Sequence, residues 1–168
     1  MATTTQAEVA RAVREVADPE IPVLTIDDLG LVRELDVDED TGVVQVTITP
    51  TYSGCPAMEV IRRSVEEAIA SRGYRAAVAT RLSPAWTTDW MSARGREALR
   101  RFGIAPPGER AAGQASRPVP VGLSRRQVAC PTCGSTATEE LSRFGSTACK
   151  ALRRCLECRE PFEEFKPI

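Results

Sequence analysis

Cys130-Pro131-Thr132-Cys133 and Cys155-Leu156-Glu157-Cys158 are two C-x-x-C pairs with 21 residues between them. The spacing within each pair lets a tight turn aim two thiolates at one ion. Gly134, directly after Cys133, permits the positive φ that such a knuckle uses. Two knuckles make a closed tetrahedral S₄ shell, the arrangement of a structural zinc site, and iron is the alternative occupant. Residues 128–168 number 41, about the size below which an apolar core alone rarely holds a fold. The metal is therefore expected to be part of that fold, contributing on the order of 10 kcal/mol to it. Segments 136–144 and 161–165 suit short antiparallel strands. The tail reads as a zinc ribbon with Cys130, Cys133, Cys155 and Cys158 as ligands. Cys149 lies outside both pairs and reads as a buried small thiol, with a spare-ligand role as the alternative.

Upstream of the ribbon, residues 106–127 are rich in Pro, Gly, Ala and Ser and lack apolar periodicity, which predicts a flexible linker. Residues 1–105 then form a domain of their own. Thr5 and Glu8 fit a capping box ahead of a helix carrying Val9, Val13 and Val16, and Asp18-Pro19 is expected to end it. Segments 31–37 and 44–48 alternate as strands across a turn at 38–42, the pattern of a hairpin. The loop 49–56 leads into a helix with Met58, Ile61, Val65, Ala68 and Ile69 on one face, capped at Gly73. A third strand is expected over 78–82, parallel to the second because of the helical crossover. A further helix spans roughly 92–102. The fold class is α/β (α+β): a small three-stranded mixed sheet with helices, followed by the ribbon.

Cys55 precedes Pro56, a residue favoured at the first helical position. That predicts a helix N-cap, where free N–H groups stabilise a thiolate; the bland alternative is a packed residue. For Asp18 and Glu20 the residues alone give a solvated loop, and for Trp86 and Trp90 core packing.

Bulk properties exclude several classes. The chain has 168 residues, 42% hydrophobic and 27% charged, as in a globular protein. No apolar run approaches a membrane span, and the N-terminus lacks a secretory pattern, so the expected location is the cytoplasm with reduced cysteines. Residues 1–105 carry 12 basic and 16 acidic side chains, and residues 128–168 carry six of each, so no segment offers the basic face that nucleic acid requires. There is no histidine, which removes the commonest general base and any imidazole ligand.

Asp18-Pro19-Glu20-Ile21, Ile26-Asp27-Asp28-Leu29-Gly30-Leu31-Val32 and Thr51-x-x-Gly54-Cys55-Pro56 together resemble the small domain of SufT-like iron–sulfur assembly proteins. Pro84-x-Trp86-Thr87-x-x-Trp90, Gly103-Ile104-Ala105-Pro106-Pro107 and Phe144-Gly145-Ser146-Thr147-x-Cys149-Lys150-Ala151-Leu152 resemble the PaaD family, the D components of phenylacetyl-CoA epoxidase systems. The resemblance implies an accessory or maturation factor rather than an enzyme, delivering iron or an iron–sulfur cluster. The expected partners are the oxygenase and reductase subunits, with self-association left open. It further implies that Cys55 is the iron or cluster ligand, with Thr51 shaping its loop and Asp18 and Glu20 lining the same site. The alternative is a structural component that docks oxygenase to reductase without carrying metal.

Overall fold

Helix α1, Gln6–Arg14, opens with the expected capping box: Glu8 N–H donates to the Thr5 hydroxyl, and Thr5 N–H donates to the Glu8 carboxylate. The coordinates are a computed structural model and describe residues 5–108 and 126–168. α1 ends at Arg14, before the expected stop at Asp18-Pro19. The reason is that Ala17 leaves the helix to bridge Thr25 in antiparallel fashion, and Ile26 N–H donates to Val16 O.

Strands β1, Val32–Asp38, and β2, Val43–Ile48, form the expected antiparallel hairpin, with Gly42 at φ 65° in its turn. Helix α2, Ala57–Ala70, buries Ala57, Ile61, Val65 and Ile69, each larger side chain contributing about 1.5–3 kcal/mol. Strand β3 runs from Arg75 to Thr80, three residues earlier than expected. The chain reverses at Gly73, φ 84°, and enters the sheet at once; Val43 pairs with Arg75 and Ile48 with Thr80, so β3 spans the full length of β2. The order β1-β2-β3, antiparallel then parallel, matches the sequence reading.

The loop before β1 is fixed by two close packings. Gly30 sits at φ 67°, and a Cβ there would lie 2.5 Å from the Trp90 carbonyl oxygen, so only glycine fits. Asp28 is buried and accepts from the Ser92 hydroxyl at 2.7 Å and from Thr25, while Arg94 pairs with it at 2.6 Å. Trp86 is buried, as core packing requires, and its indole N–H donates to Leu29 O at 2.7 Å. Helix α3, Ala93–Phe102, follows a single 3₁₀ turn at Thr88–Trp90 and ends before Gly103.

The second sheet has the order β4-β7-β6-β5, with β4 at Ile104–Ala105, β5 at Thr138–Ser142, β6 at Lys150–Cys155 and β7 at Pro161–Phe165. β5, β6 and β7 are antiparallel neighbours, and β4 joins β7 in parallel. Two features differ from the sequence expectation. Residues 104–105, placed in the first domain by the sequence, are a strand of the second sheet, and the contacts divide the chain into one unit up to Ala98 with Ile168 and another from Leu99 to Pro167. The expected linker, 106–127, lies mostly outside the described residues; its last part is anchored, since Arg126 pairs with the buried Glu164.

Candidate functional site

Among the described residues there are two candidate sites, one in each unit. In the C-terminal unit the first knuckle is closed by Gly134 N–H donating to Cys130 O at 2.9 Å, and by Cys130 N–H donating to Ser135 O at 2.9 Å. Gly134 takes φ 77°, as its sequence position predicts. The second knuckle repeats the design: Cys155 N–H donates to Glu160 O at 3.0 Å, and Arg159, four residues after Cys155 as Gly134 is after Cys130, takes φ 68°. A left-handed arginine carries a steric cost that the sequence does not advertise.

These turns bring together the sulfurs of Cys130, Cys133, Cys155 and Cys158, all within 4.8 Å of one another. The Cys130–Cys158 and Cys133–Cys155 separations are 3.8 and 3.5 Å. The electrostatics fit a cation. Backbone N–H groups of Cys158 and Glu157 hold the Cys155 thiol down to about 7. Against the opposing N–H of Glu160, Cys158 is pushed up to about 12 by burial and by the sulfurs of Cys155, Cys133 and Cys130. Four thiolates this close cannot all ionise alone, whereas a divalent ion neutralises them together. Cys149 is not among the four. It is buried, with its sulfur 3.1 Å from the Thr147 hydroxyl, in keeping with the small-thiol reading.

In the N-terminal unit, helix α2 has Pro56 as its cap residue, with φ −69° and ψ −22°, so Cys55 stands one position further out than expected. The half-buried thiol still accepts from Ala57 N–H, and Cys55 N–H donates to Tyr52 O at 3.2 Å. The expected thiolate stabilisation is outweighed. Burial pushes the Cys55 thiol up, the negative charges of Glu20 and Asp18 add to that, and the Ala57 N–H and the Tyr52 hydroxyl offset only part of it.

The two carboxylates act on the thiol through their charge, but among the described residues they form no metal-ligand cluster with it, the one such cluster being Cys130, Cys133, Cys155 and Cys158; nor is Asp18 a solvated residue. It is buried, and one of its oxygens accepts from Glu20 N–H at 2.9 Å and from Ile21 N–H at 2.8 Å. This turn sets the direction of the 18–22 loop and places Glu20 half-buried beside it. Thr51 is half-buried on the loop that carries Cys55. Tyr52 was missed by the sequence reading; only its position three residues before Cys55 could have indicated it. No helix among the described residues is long and apolar enough to cross a membrane.

Comparison with known proteins bears on both sites. The family described as "PaaD zinc beta ribbon domain" matches residues 115–166, and that described as "Iron-sulfur cluster assembly protein" matches residues 6–78. The chain is 46% identical over 162 residues to an Escherichia coli protein named as the putative D component of 1,2-phenylacetyl-CoA epoxidase, covering 96% of this chain and 92% of that one. It is 38% identical over 104 residues to the "Fe-S protein maturation auxiliary factor" of Porphyromonas gingivalis, covering 60% of this chain and 92% of that one. Among solved structures, a DUF59 domain from Bacillus anthracis superposes with a TM-score of 0.51 at 27% identity, covering 56% of this chain and 90% of that one. The fold reading, a mixed three-stranded α+β domain followed by a zinc ribbon, accords with these likenesses.

Proposed function

Because the chain belongs to the family of phenylacetyl-CoA epoxidase D components, we propose that it is an accessory factor that hands iron, or an iron–sulfur cluster, to the epoxidase complex. The observation that carries this reading is the charge around Cys55. Glu20 and Asp18 disfavour a free thiolate there, and the same charges favour any cation that replaces the thiol proton. Such a site is inert without metal and becomes a ligand when metal arrives. Its candidate donors, the Cys55 sulfur and the Glu20 and Asp18 carboxylates, form no preassembled cluster among the described residues, which suits an iron ion passed on rather than one sealed in a closed shell. Cys55 is the soft ligand, Glu20 the nearby carboxylate donor, Asp18 the loop organiser with one oxygen to spare, and Thr51 part of the loop that presents them.

The ribbon has a different task. Zinc held by Cys130, Cys133, Cys155 and Cys158 links the two knuckles and supplies fold, with no open coordination position for exchange. On this reading the SufT-like unit, the connecting segment and the ribbon act together with the oxygenase and reductase subunits in the cytoplasm.

The test is a Cys55→Ser chain co-expressed with its complex. The expected result is an intact fold, unchanged tail zinc, and a drop in the iron content and activity of the complex that added iron partly restores. A fully iron-loaded, fully active complex would overturn the carrier role. The docking alternative would then stand, with the individually exposed Leu141, Phe144 and Leu156 of the C-terminal unit as side chains to test.

A further inference from the structure

A closed tetrahedral shell blocks exchange at the metal but leaves its ligand sulfurs open to attack from outside. When all four sulfurs ligate one ion, all four are thiolates. Ionisation then no longer separates them, and access decides which one reacts. The two knuckles differ in access. Cys130 and Cys155 are buried and Cys158 is half-buried, whereas Cys133 is exposed, between the exposed Thr132 and Gly134. Position 134 has no side chain, and a Cβ there would meet nothing within 4 Å among the described residues. The second knuckle carries the side chain of Arg159 at the matching place. The two thiols outside the shell are poor competitors. Cys149 is buried against the Thr147 hydroxyl, and Cys55 is half-buried with its neutral form favoured.

We propose that Cys133 is an oxidation site, at which a hydroperoxide opens the ribbon, with Cys155 as the resolving thiol. The Cys133 thiolate attacks the outer peroxide oxygen. An S–O bond forms, the O–O bond breaks, and the departing alkoxide, or hydroxide from hydrogen peroxide, takes up a proton. Sulfur is oxidised to the sulfenic acid and the peroxide is reduced. The Cys155 thiolate, its sulfur 3.5 Å from that of Cys133, then attacks the oxidised sulfur. An S–S bond forms, the S–O bond breaks, and the hydroxide that leaves is protonated to water. Two thiolates, one hydroperoxide and two protons thus give one disulfide, one alcohol and one water. Two of the four sulfurs are now lost to the shell. Cys130 and Cys158, 3.8 Å apart, remain reduced but do not close a tetrahedron by themselves. The folding free energy supplied by metal ligation goes with the ion, so oxidation unfastens the ribbon, and a dithiol with zinc refastens it. This switch does not depend on whether Cys55 carries iron.

The test uses the zinc-loaded, iron-free full chain, treated with hydrogen peroxide and, separately, with the bulkier cumene hydroperoxide. A chromogenic chelator reads zinc release. Dimedone trapping, and alkylation after an acid quench and unfolding, followed by peptide mass spectrometry, read the state of each cysteine. The expected result is a first dimedone adduct on Cys133, a first disulfide joining Cys133 to Cys155, and one zinc lost per disulfide formed. Cys55 and Cys149 are expected to remain thiols at that point. Cumene hydroperoxide is expected to give the same first disulfide, because an exposed sulfur admits a bulky oxidant. Dithiothreitol with added zinc is expected to restore the amide NMR spectrum of the ribbon. A first adduct on any other cysteine overturns the proposal, as does a first disulfide between any other pair. Zinc retained after that disulfide forms, or a reaction confined to hydrogen peroxide, also overturns it.

Discussion

In the N-terminal unit the largest fully buried side chains are hydrocarbon: Leu24, Ile26, Leu29, Leu31, Ile48, Ile61 and Ile69 among them. In the C-terminal unit Phe165 and Leu99 are also fully buried, but another buried cluster, Ala105, Val128, Cys130, Cys155 and Phe162, includes two thiols of the four-sulfur site. In the same unit Lys150, Arg153 and Glu164 are buried as charges, Lys150 with Glu163 at 2.7 Å and Arg153 with Glu164 at 3.0 Å. The same element, sulfur, thus has opposite standing in the two units. In the N-terminal unit the fold does not draw on the Cys55 sulfur; in the C-terminal unit Cys130 and Cys155 are part of a buried cluster, and a buried charge left without its partner costs several kcal/mol more.

The largest test of this contrast is to take the metal away. Cys133→Ser or Cys158→Ser is expected to release the tail metal and unfold the ribbon, a loss on the order of 10 kcal/mol, while the N-terminal unit keeps its fold. Metal content and amide NMR spectra check both halves at once. One equivalent of zinc still bound in either variant, with an ordered tail, would break the comparison. Next in size is Gly30→Ala. With φ at 67° and a Cβ only 2.5 Å from the Trp90 carbonyl oxygen, the N-terminal unit should lose roughly 2–3 kcal/mol, read as a lower denaturation midpoint with the tail metal retained. Smaller still is Cys55→Ser, which is expected to change stability by less than about 1 kcal/mol by denaturant titration, in a unit that does not rely on its sulfur.

How much of this was legible beforehand follows the same division. The S₄ site could be read because two C-x-x-C pairs are local, and Gly134 announces its turn. Arg159 does the same job with no such signal, because its left-handed conformation is imposed by the Cys155–Glu160 hydrogen bond and not by its own preference. The sheet order of the N-terminal unit was legible from hairpin and crossover rules. The start of β3 was not, since Arg75-Ala76-Ala77 lacks a strand-like pattern and is recruited by register with β2. β4 was illegible for a like reason: two residues after a helix become a strand only because β7 offers an edge. At the candidate iron site, the helix start at Cys55-Pro56 suggested an acidic thiol. The structure reverses that, because burial and two carboxylates distant in sequence outweigh the Ala57 N–H and the Tyr52 hydroxyl.

That reversal gives the smallest and sharpest prediction, Glu20→Gln. Glutamine keeps the backbone N–H that Asp18 accepts, so the loop should hold. The raised Cys55 value means that the folded state prefers the neutral thiol. This contribution to stability is complete below the ordinary thiol value of 9.0, and is lost as pH rises from there through the raised value. Removing the Glu20 charge lowers the folded value and narrows that window. Alkylation of Cys55 in the zinc-loaded, iron-free full chain, followed by peptide mass spectrometry against pH, should show its midpoint moving down: the thiol becomes more reactive. Iron affinity should move the opposite way and weaken, because a carboxylate donor and its charge are gone. A purely structural residue would shift neither quantity. A general loosening of the loop would expose the thiol but leave Glu20→Asp as damaging as Glu20→Gln, whereas a charge acting on the thiol predicts that aspartate largely restores both. An unmoved alkylation midpoint in Glu20→Gln would show that the carboxylate does not act on Cys55, and the distinction between a sulfur that builds a fold and one that awaits a cation would lose its electrostatic basis.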